Sequence, residues 1–403
     1  MPLLIGTCYM TLGQGIVVGP FHFPIFRLFI FFGLTRVIIR GERLTGRMNG
    51  MDWLMLFWSA WALVSSFFHN DPTSALVFRL GLIFNACGVY FLLRVFCKSI
   101  EDIKTLVLIT AVLLMPVAVA MLFEKVTANN VFAMISDVPI IPEIREGRIR
   151  AQGPFSHSIL AGTVGAVSLP LIVGLWQEHR KLAFMGIVSC LSMIFASASS
   201  GPILSVIAGI VGLSMWHYRQ QMRFVRWVAV LGYIALDIVM KAPAYYLIAR
   251  IDLIGGSTGW HRSALIESGL RHLKEWWLAG TDYTIHWMPY GVEWNPDHTD
   301  ITNHYLHLGV VGGLPLMLLF IAILYKGFSF VGQTLRQSSE LPAESPFMLW
   351  GFGAALFAQA VTCIAVSYFD QSILFLYLTL AAISSVYALK TSLSTVEVSQ
   401  SGS

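Results

Sequence analysis

The feature that most constrains this chain is a succession of long apolar runs separated by short breaks. A helix needs about 20 apolar residues, and as few as about 17, to cross the hydrocarbon of a bilayer. Twelve runs approach or meet that length: 3–19, 21–39, 52–68, 75–95, 105–123, 157–176, 182–198, 201–216, 227–243, 303–325, 345–366 and 371–389. Of the 403 residues only 12% are charged and 56% are hydrophobic, whereas an ordinary soluble domain is about 25% charged. So few charges cannot coat a soluble surface of this size. The same composition excludes a disordered chain and a nucleic-acid-binding tail. The reading is an all-α polytopic membrane protein of about 12 transmembrane helices, a single integral membrane domain over 1–403. Gly19-Pro20 and Ser199-Ser200-Gly201-Pro202 are read as the tight turns of two helical hairpins.

Loop charge gives an orientation. Arg40, Arg43, Arg47, Lys98, Lys104, Arg180, Lys181, Arg219, Arg223, Arg226, Lys326, Arg336 and Lys390 fall on one side, and the short loops 69–74, 199–200 and 367–370 carry no Lys or Arg. The positive-inside rule places the first set, and both termini, in the cytoplasm. The stretch 390–403 is expected to be a flexible cytoplasmic tail. The first residues lack a basic n-region and are read as mature protein. Cys8, Cys87, Cys97, Cys190 and Cys363 lie in apolar runs or at their edges, as small packing residues do, and form neither a disulfide set nor a zinc site.

This orientation leaves two long outer segments, 124–156 and 244–302, holding eight basic residues. Long loops do not obey the charge rule, so these residues call for another account. Arg145, Arg148 and Arg150 fall within six residues. They offer a planar fork to phosphate oxygens, or they pair with Glu143 and Glu146. Arg262 opens an amphipathic pattern that runs to about Trp277, with Ser257 or Thr258 as its cap. A helix N-terminus suits an anion and disfavours a cation, so this arginine either meets a bound phosphate or pairs with Glu267 or Asp252. Thr302, Asn303 and His304 enter the tenth span together, and polar groups there need partners or a wet cavity. His304 and His307 are each suited to general base work. They are also spaced for a shared metal, but no third ligand stands out, so no metal is expected. Arg27 and Arg79 either line an outward cavity or snorkel, and Asp237 pairs with Lys241. Trp260, Trp276, Trp277, Tyr283, Trp287, Tyr290 and Trp294 crowd the large loop, as sugar-stacking rings or as an interfacial belt.

Three of these stretches resemble the O-antigen ligase and O-antigen polymerase superfamily, the bacterial membrane glycosyltransferases that use undecaprenyl-diphosphate-linked glycans. Arg148-Ile-Arg150-Ala-Gln-Gly-Pro-Phe-Ser-His157 resembles the family's arginine-rich loop entering a span. Gly259-Trp260-His-Arg262, followed by Trp276-Trp277 and Gly280, resembles the start of its large periplasmic loop. Thr302-Asn303-His304-Tyr305-Leu306 through Gly312-Gly313 resembles its His-Asn-x-Tyr-Leu…Gly span entrance. The layout, with a long outer loop before the tenth span, is also similar.

The resemblance implies a GT-C-like fold in the bacterial inner membrane with its active site facing the periplasm. It implies a metal-independent, cofactor-free, inverting glycosyltransferase. The donor is a glycan on undecaprenyl diphosphate, and the acceptor is another glycan, lipid A-core or a protein. Other polysaccharide-assembly proteins are possible partners, alongside membrane lipids; nucleic acid is not. Arg150 and Arg262 take the role of stabilising the diphosphate, with Arg148 and Arg79 in support. Asn303, His307 and Trp260 are carried as substrate-binding residues. Where the family places His before Asn this chain has Thr302, so the catalytic His is His304, His307, a loop His such as His298, or none of these; His304 is carried as the candidate. That departure favours an exopolysaccharide or O-antigen polymerase over an O-antigen or protein O-glycosylation ligase. A transporter or flippase is the reading from another class. It predicts mid-membrane ionisable pairs and a repeated half, which the pattern lacks.

Overall fold

Local signals set where the helices begin. Asn49 accepts hydrogen bonds from the Met51 and Asp52 N–H groups while the Asp52 carboxylate accepts from Asn49 N–H, a capping box that satisfies donors on both sides. Ser99 and Asp102 form a second box. Asp71 accepts from Thr73 and Ser74 N–H, with Pro72 as the first helical residue, where its missing N–H costs nothing.

The computed structural model describes the chain except 136–137, 241–242, 251–258, 290, 293–294, 338–345 and 402–403; for 248–250 and 393–401 it describes the backbone alone. In order, the elements are α1 (Pro2–Thr7), strands β1 (Gly15–Val18) and β2 (Phe21–Pro24), α2 (Ile25–Arg40), α3 (Gly50–Ser65), α4 (Pro72–Phe96) and α5 (Ile100–Thr127). Strands β3 (Ile144–Arg145) and β4 (Arg148–Ile149) precede α6 (Ser158–Gly174), α7 (Arg180–Ser197), α8 (Ser200–Ser214), α9 (Met222–Val239), α10 (Gly259–Arg271) and α11 (Leu273–Trp276). Strands β5 (Gly291–Val292) and β6 (Asn295–Thr299) lead into α12 (His304–Gln337), α13 (Pro346–Ala365) and α14 (Leu374–Ser401). The strands form three separate antiparallel hairpins.

Among the described residues, seven helices are long and apolar enough to cross a membrane: α3 with its continuation to Phe68, α4, α5, α7, α12, α13 and α14. The protein is therefore an all-α, membrane-embedded chain. The expected span 3–19 is not a helix. After the six residues of α1 the chain forms the β1–β2 hairpin, register Val18↔Phe21. Gly13 and Gly15 weaken a helix there, and Ile16-Val17-Val18 favour a strand. Gly19-Pro20 is thus the turn of a β-hairpin and not of a helical one. The run 21–39 yields a 16-residue helix starting at Ile25, and 157–176 and 201–216 yield helices of 17 and 15 residues. Residues 227–239 of the run 227–243 fall in α9, which holds Arg223, Arg226 and Asp237 and has no buried residue. The Asp237 carboxylate accepts from Ala244 N–H at 2.8 Å; its expected partner Lys241 lies outside the described residues. At the C-terminus the helical backbone continues to Ser401.

The helices pack as two groups. α5, α6, α7, α8 and α13 lie together, and α2, α3, α4, α12 and α14 lie together; α13 joins them by packing on α12 and α14. Small residues carry several of these contacts, with Gly165 of α6 against Cys190 of α7 and Gly212 of α8 against Ala354 of α13, as helices do where no water drives association. The five cysteines are free thiols.

One end of the bundle carries the two long loops. The other end is braced by a fully buried pair, Arg94 Nε to Asp52 Oδ1 at 3.1 Å. Tyr90 and Asn49 tie that pair to Ser384. Such a pair stabilises little on balance, but losing one partner strands a buried charge. Asp52→Ala should cost about 3–5 kcal/mol of stability, read as a lowered unfolding temperature in detergent.

At the loop-bearing end α12 is broken, with Gly312 and Gly313 outside helical geometry and Gly313 at φ +76°. The break frees backbone groups, and several of them find partners. Trp61 Nε1 donates to Gly312 O at 2.7 Å, Thr281 N–H to Val310 O at 2.9 Å, and Leu314 N–H to Trp277 O at 2.8 Å. Arg79 donates to Val311 O and to His69. A broken helix at membrane depth persists only where it is re-satisfied in this way. The segment 277–281 is thereby docked onto the break. A Cβ on Gly313 would lie 2.1 Å from Leu278 O, and one on Gly280 2.1 Å from Val310 O. Gly313→Ala meets both the clash and the positive φ, so it should destabilise by more than about 1 kcal/mol, checked by thermal unfolding in detergent.

Asp282 pins the same segment, accepting from Asn70 N–H at 2.7 Å and from His69. Burial pushes its carboxyl pKa up, but these hydrogen bonds and the charge of Arg79 outweigh it and hold the pKa below the ordinary value. A depressed pKa contributes stability that is present above the ordinary carboxylate range and is lost as pH falls through the lowered value. Asp282→Asn should therefore flatten the acid limb of a stability-versus-pH curve, while an unchanged limb would remove this role.

Candidate functional site

The stretch that follows the β3–β4 hairpin is fixed backbone atom by backbone atom. Glu124, at the end of α5, accepts from Gln152 and Gly153 N–H at 3.0 and 2.8 Å. Asn130 Nδ2 donates to Gly153 O, and Gln371 Nε2 to Pro154 O. Asp370 accepts from Ser156 N–H at 2.9 Å. His157 caps α6, its Nδ1 accepting from Ile159 N–H at 3.1 Å. The buried Arg150 is held by these anchors. Its Nη1 meets Glu143 Oε2 at 2.6 Å and its Nη2 donates to Ser199 Oγ at 2.8 Å, while its buried Nε has no partner among the described residues. Glu143 thus takes Arg150, the pairing expected if the arginine were only structural.

The β3–β4 hairpin turns at Glu146-Gly147, both at positive φ, as a two-residue hairpin loop requires. Its register sets Arg145 directly opposite Arg148, two like charges side by side. The charge of Arg145 acts on both Arg150 and Arg262. The three expected phosphate-facing positions 145, 150 and 262 therefore lie within electrostatic reach of one another.

Arg262 lies in the first turn of α10, only 7% exposed, and its Nε donates to Ala365 O at 3.1 Å. Glu267 pairs with Arg271 at 2.9 Å instead, and Asp252, Ser257 and Thr258 lie outside the described residues. Among the described residues Arg262 has no carboxylate partner, and neither Nη is bonded. Burial, and next the charge of Arg145, lower its pKa. Burial and next the Arg150 charge likewise lower that of His157. A buried guanidinium is expensive to keep unless a counter-charge or ligand offsets it.

The third stretch reaches the same place. His304 is almost wholly buried among His307, Phe320 and Tyr368, and its Nδ1 accepts from Tyr368 N–H at 3.4 Å. That bond assigns the proton of the neutral ring to Nε2, so His304 is oriented as a donor. Asn303 caps α12, its Oδ1 accepting from Leu306 N–H. The imidazole of His307 is half-buried and bonds to no described residue. His298 is held by Thr284 Oγ1. Trp260 is half exposed, edge-on to His261, and Arg148 is exposed. Arg79 sits apart at the α12 break, with all three guanidinium nitrogens committed to Ser65, Ala75, His69 and Val311.

All three motif stretches converge on the turn between α13 and α14. Arg262 bonds to residue 365, His304 to residue 368, Ser156 to residue 370 and Pro154 to residue 371. The sequence reading had noted only that 367–370 lacks basic residues. Asp370 is the main residue it missed; no spacing announces a carboxylate whose work is done on backbone N–H groups. It also missed His272, Glu275 and His286, which cluster on the large loop; the spacing His-x-x-Glu with a later His was the available signal.

Comparison with known proteins adds nothing to this geometry: no family model matches the chain, and no curated protein is detectably similar to it.

Asp370 is buried, and that burial raises its pKa against the hydrogen bonds it accepts. Asp370→Asn replaces one acceptor by a donor facing an N–H. It should cost about 1–3 kcal/mol and loosen the 150–157 stretch, read as faster backbone hydrogen exchange there than in wild type.

Proposed function

We propose that the protein is a bacterial inner-membrane glycosyltransferase that moves a glycan from undecaprenyl diphosphate to an acceptor sugar hydroxyl, with its site on the periplasmic side. The observation that carries this reading is Arg262. Its guanidinium is buried, neither Nη is bonded among the described residues, and with Arg145 and Arg150 in electrostatic reach it would form one mouth. An anion with several oxygens is the ligand such a mouth suits, and the motif resemblance supplies its identity as a lipid diphosphate.

In the proposed step the acceptor oxygen attacks the anomeric carbon. The bond from that carbon to the diphosphate oxygen breaks, and its electron pair leaves with undecaprenyl diphosphate. Charge therefore grows on the diphosphate as the bond lengthens, and fixed guanidiniums favour the transition state over the ground state. Arg262 and Arg150 take that role, with Arg148 at the rim. The hydroxyl proton passes to a base. His307 suits it, because the lone pair of His304 Nδ1 is already engaged by Tyr368 N–H. His304 and Asn303 then position the helix entrance, and Trp260 offers a face to sugar. Arg79 braces the α12 break. A single displacement inverts the anomeric centre, and these residues carry it without a metal or cofactor.

The departure at Thr302 favours a polymerase, whose acceptor is another lipid-linked glycan; a ligase uses the same chemistry on lipid A-core or protein. Arg262→Ala should lower glycan transfer by about 100-fold or more while the folded protein still reaches the membrane. Arg262→Lys, which keeps the charge and loses the fork, should recover only part of it. Wild-type transfer in the alanine variant would refute the assignment. In a deletion strain, single repeat units left on the carrier or core mark a polymerase, and long chains left on undecaprenyl diphosphate mark a ligase.

A further inference from the structure

His272 stands between α10 and α11, Glu275 lies on α11, and His286 lies 11 residues further along the large loop. Their side chains converge. His272 Nδ1 is 2.8 Å from Glu275 Oε1, and His286 Nε2 is 2.9 Å from Glu275 Oε2 and 3.2 Å from Oε1. One ligand atom from each of the three falls within 4.8 Å of the others. With zinc bonds of 2.0–2.1 Å, tetrahedral ligand atoms stand roughly 3.4 Å apart, so side-chain shifts on the order of an ångström bring the three to that spacing.

The surroundings hold these groups in place. Trp287 Nε1 donates to Glu275 Oε2 at 3.1 Å, leaving Oε1 to turn inward. The His272 ring stacks on Trp287 with planes 13° apart, and His286 stacks on Tyr283, also at 13°. Fixed rotamers and an outer hydrogen bond on the carboxylate are what a metal site needs beyond its ligands. The side chains of His272, Glu275 and His286 are 25%, 39% and 34% exposed, so an ion has a way in and a water can fill a fourth position.

We propose that His272, Glu275 and His286 form a zinc-type divalent cation site on the large loop. Two neutral imidazoles and one carboxylate suit Zn2+ or Co2+ better than the oxygen-seeking Mg2+ or Ca2+. The ion ties residue 272 to residue 286 and closes the segment between them, which includes the 277–281 stretch docked on the α12 break. Its role is structural, it takes no part in glycan transfer, and it stands whether or not the glycosyltransferase reading does.

The test is a titration of the purified full-length chain, carrying no polyhistidine tag, in detergent micelles. Co2+ should bind with one equivalent and give the visible absorption of a four-coordinate N/O site, and Zn2+ should displace it. Zn2+ should also raise the unfolding temperature. Trp287→Phe, which removes the outer hydrogen bond, should weaken binding roughly tenfold. His272→Ala and His286→Ala should weaken it further. Glu275→Gln keeps the volume and an acceptor for Trp287, so it isolates the ligand from the fold; it should lose both the spectrum and the thermal shift. Absence of a stoichiometric Co2+ complex in the wild type, or an unchanged complex in Glu275→Gln, would overturn the proposal.

Discussion

The turn at residues 365–371 is the constraint on which the candidate site depends. It is the short link between α13 and α14, and it offers a carbonyl at 365, an N–H at 368, a carboxylate at 370 and an amide at 371 to three distant parts of the chain. In an apolar setting an unmet backbone group costs several kcal/mol, so each bond fixes a position and not merely a preference. Arg262, His304 and the 150–157 stretch come from different loops and are brought to one place because each completes the turn.

A second constraint acts on the large loop. Breaking α12 at Gly312-Gly313 exposes carbonyls that Trp61, Arg79 and the 277–281 segment then satisfy. The break thus serves as a docking point. It explains why a charged Arg79 is tolerated within α4, where neither of the sequence-based readings, a cavity lining or a snorkelling side chain, describes it. Asp282 and His69 extend the same network to the loop backbone, and the proposed cation site closes the loop on its far side.

How much of this could be read from the residues differs by kind of interaction. The apolar runs gave the membrane class and most helix positions, because hydrophobic length is a direct physical requirement of a bilayer. They misled at 3–19, where hydropathy is high but glycine and β-branched residues make the local backbone turn and pair as strands. The arginine-rich stretches were visible because long loops escape the charge rule, so their arginines stood out. Asp370 and the 365–371 turn were not visible, since their bonds have a backbone group on at least one side, and backbone groups carry no signature. Arg262 was left between a ligand and a carboxylate partner. The structure removes Glu267 from the choice by pairing it with Arg271.

In the proposed reaction, arginines gathered near that turn draw a glycan off a lipid diphosphate. The most direct measurement is the fate of the lipid carrier when the purified protein, in vesicles, is given an undecaprenyl-diphosphate-linked glycan. Free undecaprenyl diphosphate should be released in step with each new glycosidic bond. Recovery of the intact lipid-linked glycan, unchanged or merely moved to the opposite leaflet, would contradict it.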